Sequence, residues 1–237
     1  NHLILTSETY RRSSRHPDPE LLAEKDPKGH FYARFLPRRL VAEEIRDAML
    51  RVSGELNPRV GGIPVRPDIN PEVAFQPRQI MGGTASVYEP DPLPEQRNRR
   101  TIYAEKLRGL RDPFLEAFNQ PGPDASCELR ESSTVAPQAL TLLNAEEVQD
   151  RALAFANRLI KEGNSESTTI KRAFELALGR VAGKEEVDLC VERWNIATRS
   201  ESQKNPVEPS FHKKIKRTVM AEKTGEPYDF WEFLPSL

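Results

Sequence analysis

The chain has 237 residues with 35 Lys and Arg against 36 Asp and Glu, and a formal charge of −1 excludes the chain-wide basic excess expected of a nucleic-acid binder. Apolar residues make up 37% and charged residues 30%, and because the apolar ones are clustered and periodic the composition describes a folded helical protein rather than a disordered one. No run of 18 apolar residues is present to cross a membrane, so no span is expected in this chain.

A chain of this length holds one large domain or two small ones and buries roughly 70–75% of its extended surface. Cys127 and Cys190 fit neither a CxxC redox pair nor a metal knuckle. A disulfide in an oxidising compartment and two free thiols both stay open.

Residues 2–16 open on Leu3, Ile4 and Leu5 and continue into Arg11, Arg12, Arg15 and His16. These cations read either as an anion-binding face or as a solvated helix end with positive charge at its C-terminus. Pro17 and Pro19 are expected to stop any helix there. The chain enters in the middle of a helical pattern with no visible signal peptide, and the expectation is that the natural N-terminus lies upstream.

Between Arg39 and Ser53, Val41, Ile45, Ala48, Met49 and Val52 recur at helical spacing, and Gly54 follows where a left-handed residue ends a helix. Glu43, Glu44, Arg46, Asp47 and Arg51 fall on its other faces. The adjacent Glu43 and Glu44 point about 100° apart and do not flank a common bond. Residues 57–98 lose this periodicity under eight prolines and two Gly-Gly pairs, which predicts an irregular segment, with short strands or a covering flap built on Val73, Phe75, Val87 and Tyr88. Gly61-Gly62 lacks the pattern of a phosphate loop.

The stretch around which the chain is organised begins at Arg99. Thr101-Ile102-Tyr103 is a β-prone triplet after Arg97, Arg99 and Arg100. Leu107, Leu110, Phe114, Leu115 and Phe118 form an apolar helical face, with Asp112-Pro113 marking a first turn. A polar loop, 119–133, leads to a helical run with Val135, Leu140, Leu142 and Leu143. Asn144 and Glu147 then read as a capping box that opens an amphipathic helix through Val148, Ala152, Phe155, Ala156, Leu159 and Ile160.

Ser126, Cys127, Ser132, Ser133 and Thr134 have no histidine nearby and no GxSxG setting, so helix capping is favoured over nucleophilic chemistry. No HExxH or comparable ligand spacing points to a metal. Ile170 to Leu178 and Val187 to Ala197 make two further amphipathic helices joined by RVAGK, an antiparallel hairpin with Cys190 on its buried face. Residues 199–218, with Lys213, Lys214, Lys216 and Arg217, read as a basic surface tail, and the aromatic end EKTGEPYDFWEFLPSL looks cut short.

The expected fold is thus mostly α: an irregular helical domain over 1–237, with helices in 1–56, a Pro/Gly-rich loop region at 57–98 carrying a few short strands, a helical core at 99–198 and a polar extension at 199–237.

The segments TSETYRRSSRH, RRLVAEEIRDAMLRVSGELNPRVGG, RRTIYAEKLRGLRDPFLEAFNQPGPDASCELRESSTVAPQALTLLN, FELALGRVAGKEEV and EKTGEPYDFWEFL, in that order, resemble the C-terminal domain of unknown function 1553 of planctomycete cytochrome-c-like proteins. The resemblance implies a parent that is exported, hence periplasmic or otherwise extracytoplasmic, and in which a c-type cytochrome-like domain and another domain of unknown function precede this one. It also implies that flanking sequence lies beyond both ends. The chain carries no CxxCH motif, so no cofactor is expected here and any haem belongs to a separate domain. The family supplies no catalytic residues to carry over.

Three functions stay open at this point. The first is an accessory or interaction module, binding carbohydrate or an acidic polymer through Arg99, Arg100, Tyr103, Arg130 and Gln138, since guanidinium forks match carboxylate and sulfate. The second is a polysaccharide hydrolase using Asp112, Glu116 and Asp124. The third is a structural domain packed against its neighbours in the parent protein.

Overall fold

The computed structural model describes all residues except 71–72, 74–77, 81–82, 86–87, 109, 123–125, 131–132, 203–213, 221–225 and 234–237. The chain divides into two compact units, Asn1–Leu40 and Val41–Leu237.

In the first unit, α1 spans His2–Thr6 and α2 spans Pro19–Lys25. Pro19 starts a helix instead of preventing one. It occupies the first turn, where its missing N–H costs nothing, and the Asp18 carboxylate accepts the Leu21 amide at 2.9 Å as the N-cap. The local sequence for this start is Asp18-Pro19-Glu20, a cap residue followed by a first-turn proline.

The second unit opens with α3, Ala42–Ser53, ended by Gly54 in the left-handed region at φ 85. Its most buried residues are Ala42, Arg46, Leu50 and Ser53. The buried face is therefore displaced from the apolar stripe by about one residue, and a charged side chain sits at its centre. Strands β1, Arg78–Ile80, and β2, Gly83–Ala85, pair antiparallel with Arg78 opposite Ala85. Of the expected flap residues, Phe75 and Val87 lie outside the described residues, while Val73 packs with Tyr88, Leu110, Ile69 and Leu107 in a small cluster.

Helix α4, Pro94–Arg97, leads to a single 3-10 turn at the β-prone triplet Thr101–Tyr103. The cause is local: the Asp47 carboxylate takes both the amide and the hydroxyl of Thr101 at 2.7 Å, and the Tyr103 amide donates to the Arg100 carbonyl at 2.9 Å. The apolar series Leu107 to Phe118 also shortens, to α5 at Pro113–Ala117, which Asp112 caps by accepting the Phe114 amide at 2.9 Å.

Helices α6, Ala136–Asn144, and α7, Glu146–Glu162, are joined by extended Ala145. The expected capping box does not form. Asn144 is the last residue of α6, where its Nδ2 donates to the Leu140 carbonyl at 3.0 Å, and Glu147 is turned toward Arg46. Helices α8, Glu166–Leu178, and α9, Lys184–Ser202, form the expected hairpin, with Ile170, Ala182 and Val187 buried and Cys190 packed against them. Cys190 and the exposed Cys127 are both free thiols.

Strands β3, Lys214–Met220, and β4, Pro227–Phe233, then pair antiparallel with Lys214 opposite Phe233 and Met220 opposite Pro227. What the sequence presented as a basic tail and a cut-short end thus contains a hairpin, built from the strand formers Ile215, Thr218, Val219, Tyr228, Phe230 and Trp231. The principal core lies where α3, α5 and α7 meet: Ala42, Phe114, Leu115 and Phe118 are buried with Ile45, Met49 and Val148 beside them, and the two phenyl rings pack tilted at 5.1 Å.

Candidate functional site

Three arginines hold the irregular backbone around this core. Arg46, only 4% exposed, donates from Nη2 to the Arg97 carbonyl at 2.8 Å and from Nη1 to the Arg99 carbonyl and Thr101 Oγ1 at 3.1 and 3.2 Å. Its Nε faces Glu147 Oε1 at 3.5 Å as an ion pair. Arg99, also buried, donates to the carbonyls of Ile63 at 3.1 Å, Arg59 at 3.3 Å and Gly61, with its guanidinium 4.1 Å above the Tyr103 ring. The Tyr103 hydroxyl accepts the Gly61 amide at 2.9 Å. From α7, Arg158 donates to the Arg51 and Val52 carbonyls at 3.2 and 2.8 Å, satisfying the C-terminal end of α3.

Carboxylates gather about Arg46 from several segments. Burial pushes Glu147 up to about 7, the negative charge of Asp112 adds to it, and Arg46 and Arg151 oppose it. Burial likewise raises Asp112, against the pull of the Leu115 and Phe114 amides, and raises Asp68, which Arg97 meets at 3.1 Å. Beside this cluster is an open hollow of about 630 Å³, solvent included, lined among others by Arg46, Tyr88, Glu105, Arg111, Asp112 and Gln120.

The five side chains chosen from sequence occupy this unit in different ways. Arg99 and Tyr103 are stacked together and committed to the 59–63 backbone. Arg100 has 56% of its side chain in solvent and reaches Asp47 at 3.3 Å. Arg130 grips Glu43 with both nitrogens, at 2.6 and 3.2 Å, and although burial pushes Glu43 up, that guanidinium holds it below its ordinary value. Gln138 is buried, accepts the Val135 amide at 3.4 Å at the start of α6 and donates to Ser133 Oγ at 3.3 Å. Arg99, Arg100 and Tyr103 thus share one locus, whereas Arg130 and Gln138 serve the loop before α6.

Of the hydrolase candidates, Asp112 caps α5, Glu116 pairs with Arg111, and Asp124 lies outside the described residues. Glu105, the other carboxylate on the hollow, is bound by Arg66 at 2.6 Å. No group of three His, Cys, Asp or Glu suited to a metal occurs among the described residues. Arg46, Asp47 and Glu147 were overlooked as members of the site. The available signal was Arg46 at helical spacing between Ala42 and Leu50, which places a charge inside an otherwise apolar stripe.

A helical unit whose irregular backbone is fastened by buried arginines, with an open hollow beside its acidic cluster, is the class of protein this geometry defines. The chain belongs to the family described as PSD1, Protein of unknown function (DUF1553), whose model matches residues 1–194. No curated protein and no solved structure matches it.

Proposed function

We propose that the chain is an accessory module of an exported, multidomain, cytochrome-c-like protein, and that it works by packing against the neighbouring domains of its parent. The observation that carries this is apolar: α6 and α7 leave Leu140, Leu143, Leu153 and Ile160 between 57 and 67% exposed, although both helices also supply residues to the interior. A helix apolar on its solvent side as well as its core side is arranged to be covered. The arginines that would suit an acidic ligand are mostly turned onto backbone carbonyls and carboxylates of the same unit, which supports a packing role over ligand capture. A carbohydrate-directed variant of this reading rests on Arg100, the more exposed of the five candidate side chains, whose guanidinium pairs with Asp47.

The test uses the parent protein with and without its preceding domains. Separately produced preceding domains should co-elute with this chain, and Leu140→Ser, Leu143→Ser and Leu153→Ser together should abolish co-elution while far-UV circular dichroism is unchanged. Co-elution that survives all three substitutions would rule out this face. Thermal stabilisation by an oligosaccharide, lost in Arg100→Ala, would move the reading to the carbohydrate-directed variant.

A further inference from the structure

The first unit has a charge character of its own, independent of the packing role above. Residues 1–40 hold eight Lys and Arg against five Asp and Glu, a net of +3, whereas the remaining residues hold 27 against 31, a net of −4. Within the unit, stretches 9–17 and 28–40 contain no carboxylate and carry Arg11, Arg12, Arg15, Lys28, Arg34, Arg38 and Arg39.

The fold brings these two stretches side by side. The Phe35 amide donates to the Ser13 carbonyl at 3.0 Å, and Arg12 Nη1 donates to the Tyr32 carbonyl at 3.3 Å. Three of the unit's acids are occupied elsewhere: Asp18 caps α2, Glu24 meets Lys25 at 2.6 Å, and buried Asp26 accepts the His30 and Phe31 amides at 2.7 and 3.0 Å. The loop that Asp26 organises holds Tyr32 in the left-handed region at φ 53 and presents Phe31 and Tyr32 to solvent at 76 and 69% exposure. Phe35 at 52% and Leu36 at 44% continue the patch.

The geometry points to a docking surface for an anionic lipid bilayer, with Phe31, Tyr32 and Phe35 seated at headgroup depth and the surrounding arginines on lipid phosphates. Guanidinium and lysine side chains suit that role because their stems lie along apolar surface while the charge stays in the wet layer. A bilayer fits better than a soluble anionic polymer, because Phe31, Phe35 and Leu36 carry no polar atom for hydrogen bonding a sugar or nucleotide, and a leucine has no ring on which either could stack. Hydrocarbon rewards all three.

The full chain is to be sedimented with vesicles of phosphatidylcholine alone and of phosphatidylcholine with phosphatidylglycerol in equal parts, with a soluble sulfated polysaccharide as competitor. The expected result is binding to the anionic vesicles only, weakened by added salt. Arg11→Gln with Arg15→Gln should weaken it by about fivefold per cation removed, and Phe31→Ser with Phe35→Ser by at least tenfold, each with an unchanged circular dichroism spectrum. Equal binding to neutral vesicles, no vesicle binding at low salt, full retention of binding in either double variant, or binding of the polysaccharide without the vesicles would each overturn the proposal.

Discussion

Arg46 is a buried cation tied to several segments of the second unit. Its guanidinium answers two carbonyls, a hydroxyl and a carboxylate brought from segments more than fifty positions away. Arg46→Ala takes their partner from the Arg97 and Arg99 carbonyls and from Glu147, and is expected to lower the unfolding free energy by about 3–5 kcal/mol in urea titration. Arg46→Lys should recover little, since an ammonium cannot span the Arg97 and Arg99 carbonyls in the same plane.

Glu147 gives the same site a pH signature. Its folded pKa of about 7 exceeds its ordinary value, so the folded chain binds a proton that the unfolded chain has released, and stability falls as pH rises from about 4.5 to 7. The full loss would be about 3 kcal/mol, and less in practice because a quarter of the side chain meets solvent. Asp112 and Asp68 act in the same direction. Glu186, held at about 2 by Arg180 and the Gly183 amide, acts oppositely and loses its contribution as pH falls below about 4.5. Glu147→Gln should therefore flatten the pH 4.5–7 arm while leaving the acid arm intact, a comparison made by urea midpoints across that range.

Among the elements, those with a strong local signal were legible. The helix at 42–53 with its closing glycine, the Asp112-Pro113 start and the α8–α9 hairpin all follow from spacing and caps. Gly179, at φ 65 with open space where a Cβ would stand, isolates the backbone cost, and Gly179→Ala should destabilise by about 1 kcal/mol in a thermal melt, with no steric contribution.

Other elements were set by partners distant in sequence. Thr101–Tyr103 is β-prone in isolation, but Asp47 takes its amide and hydroxyl and leaves a 3-10 turn. Asn144 and Glu147 have the right spacing for a capping box, but Arg46 claims the glutamate. Of the side chains that stand out in the sequence, Arg99 and Tyr103 stack together and Arg100 pairs with Asp47, while Arg46 and Asp47 themselves look like ordinary charges on a solvated helix face. The missed hairpin at 214–233 had its strand-forming residues, but they were embedded in a lysine-rich stretch that periodicity alone assigns to the surface.

At the scale of the whole chain, charge and apolar surface are divided between the two units. The first is cationic with exposed rings, and the second is acidic with exposed leucines on α6 and α7. The family match spans the first unit and continues through the second to a point within α9. High salt is expected to affect only surfaces of the first kind, and a salt titration of vesicle binding and of domain co-elution run in parallel should separate them.

The arginine fastenings of the second unit also bear on how quickly the chain reaches its native state. The bonds from Arg46 to Arg99 and from Arg158 to Val52 close loops of 53 and 106 residues, and Arg130 to Glu43 closes one of 87. Local helix contacts form early, but these closures must be made against chain entropy before the carbonyls and guanidiniums find one another. The protein should therefore fold more slowly than a simple helical bundle of its length. Its final kinetic phase should be the one slowed by Arg46→Ala if the fastening forms in the transition state, and left unchanged, with faster unfolding, if it forms afterwards.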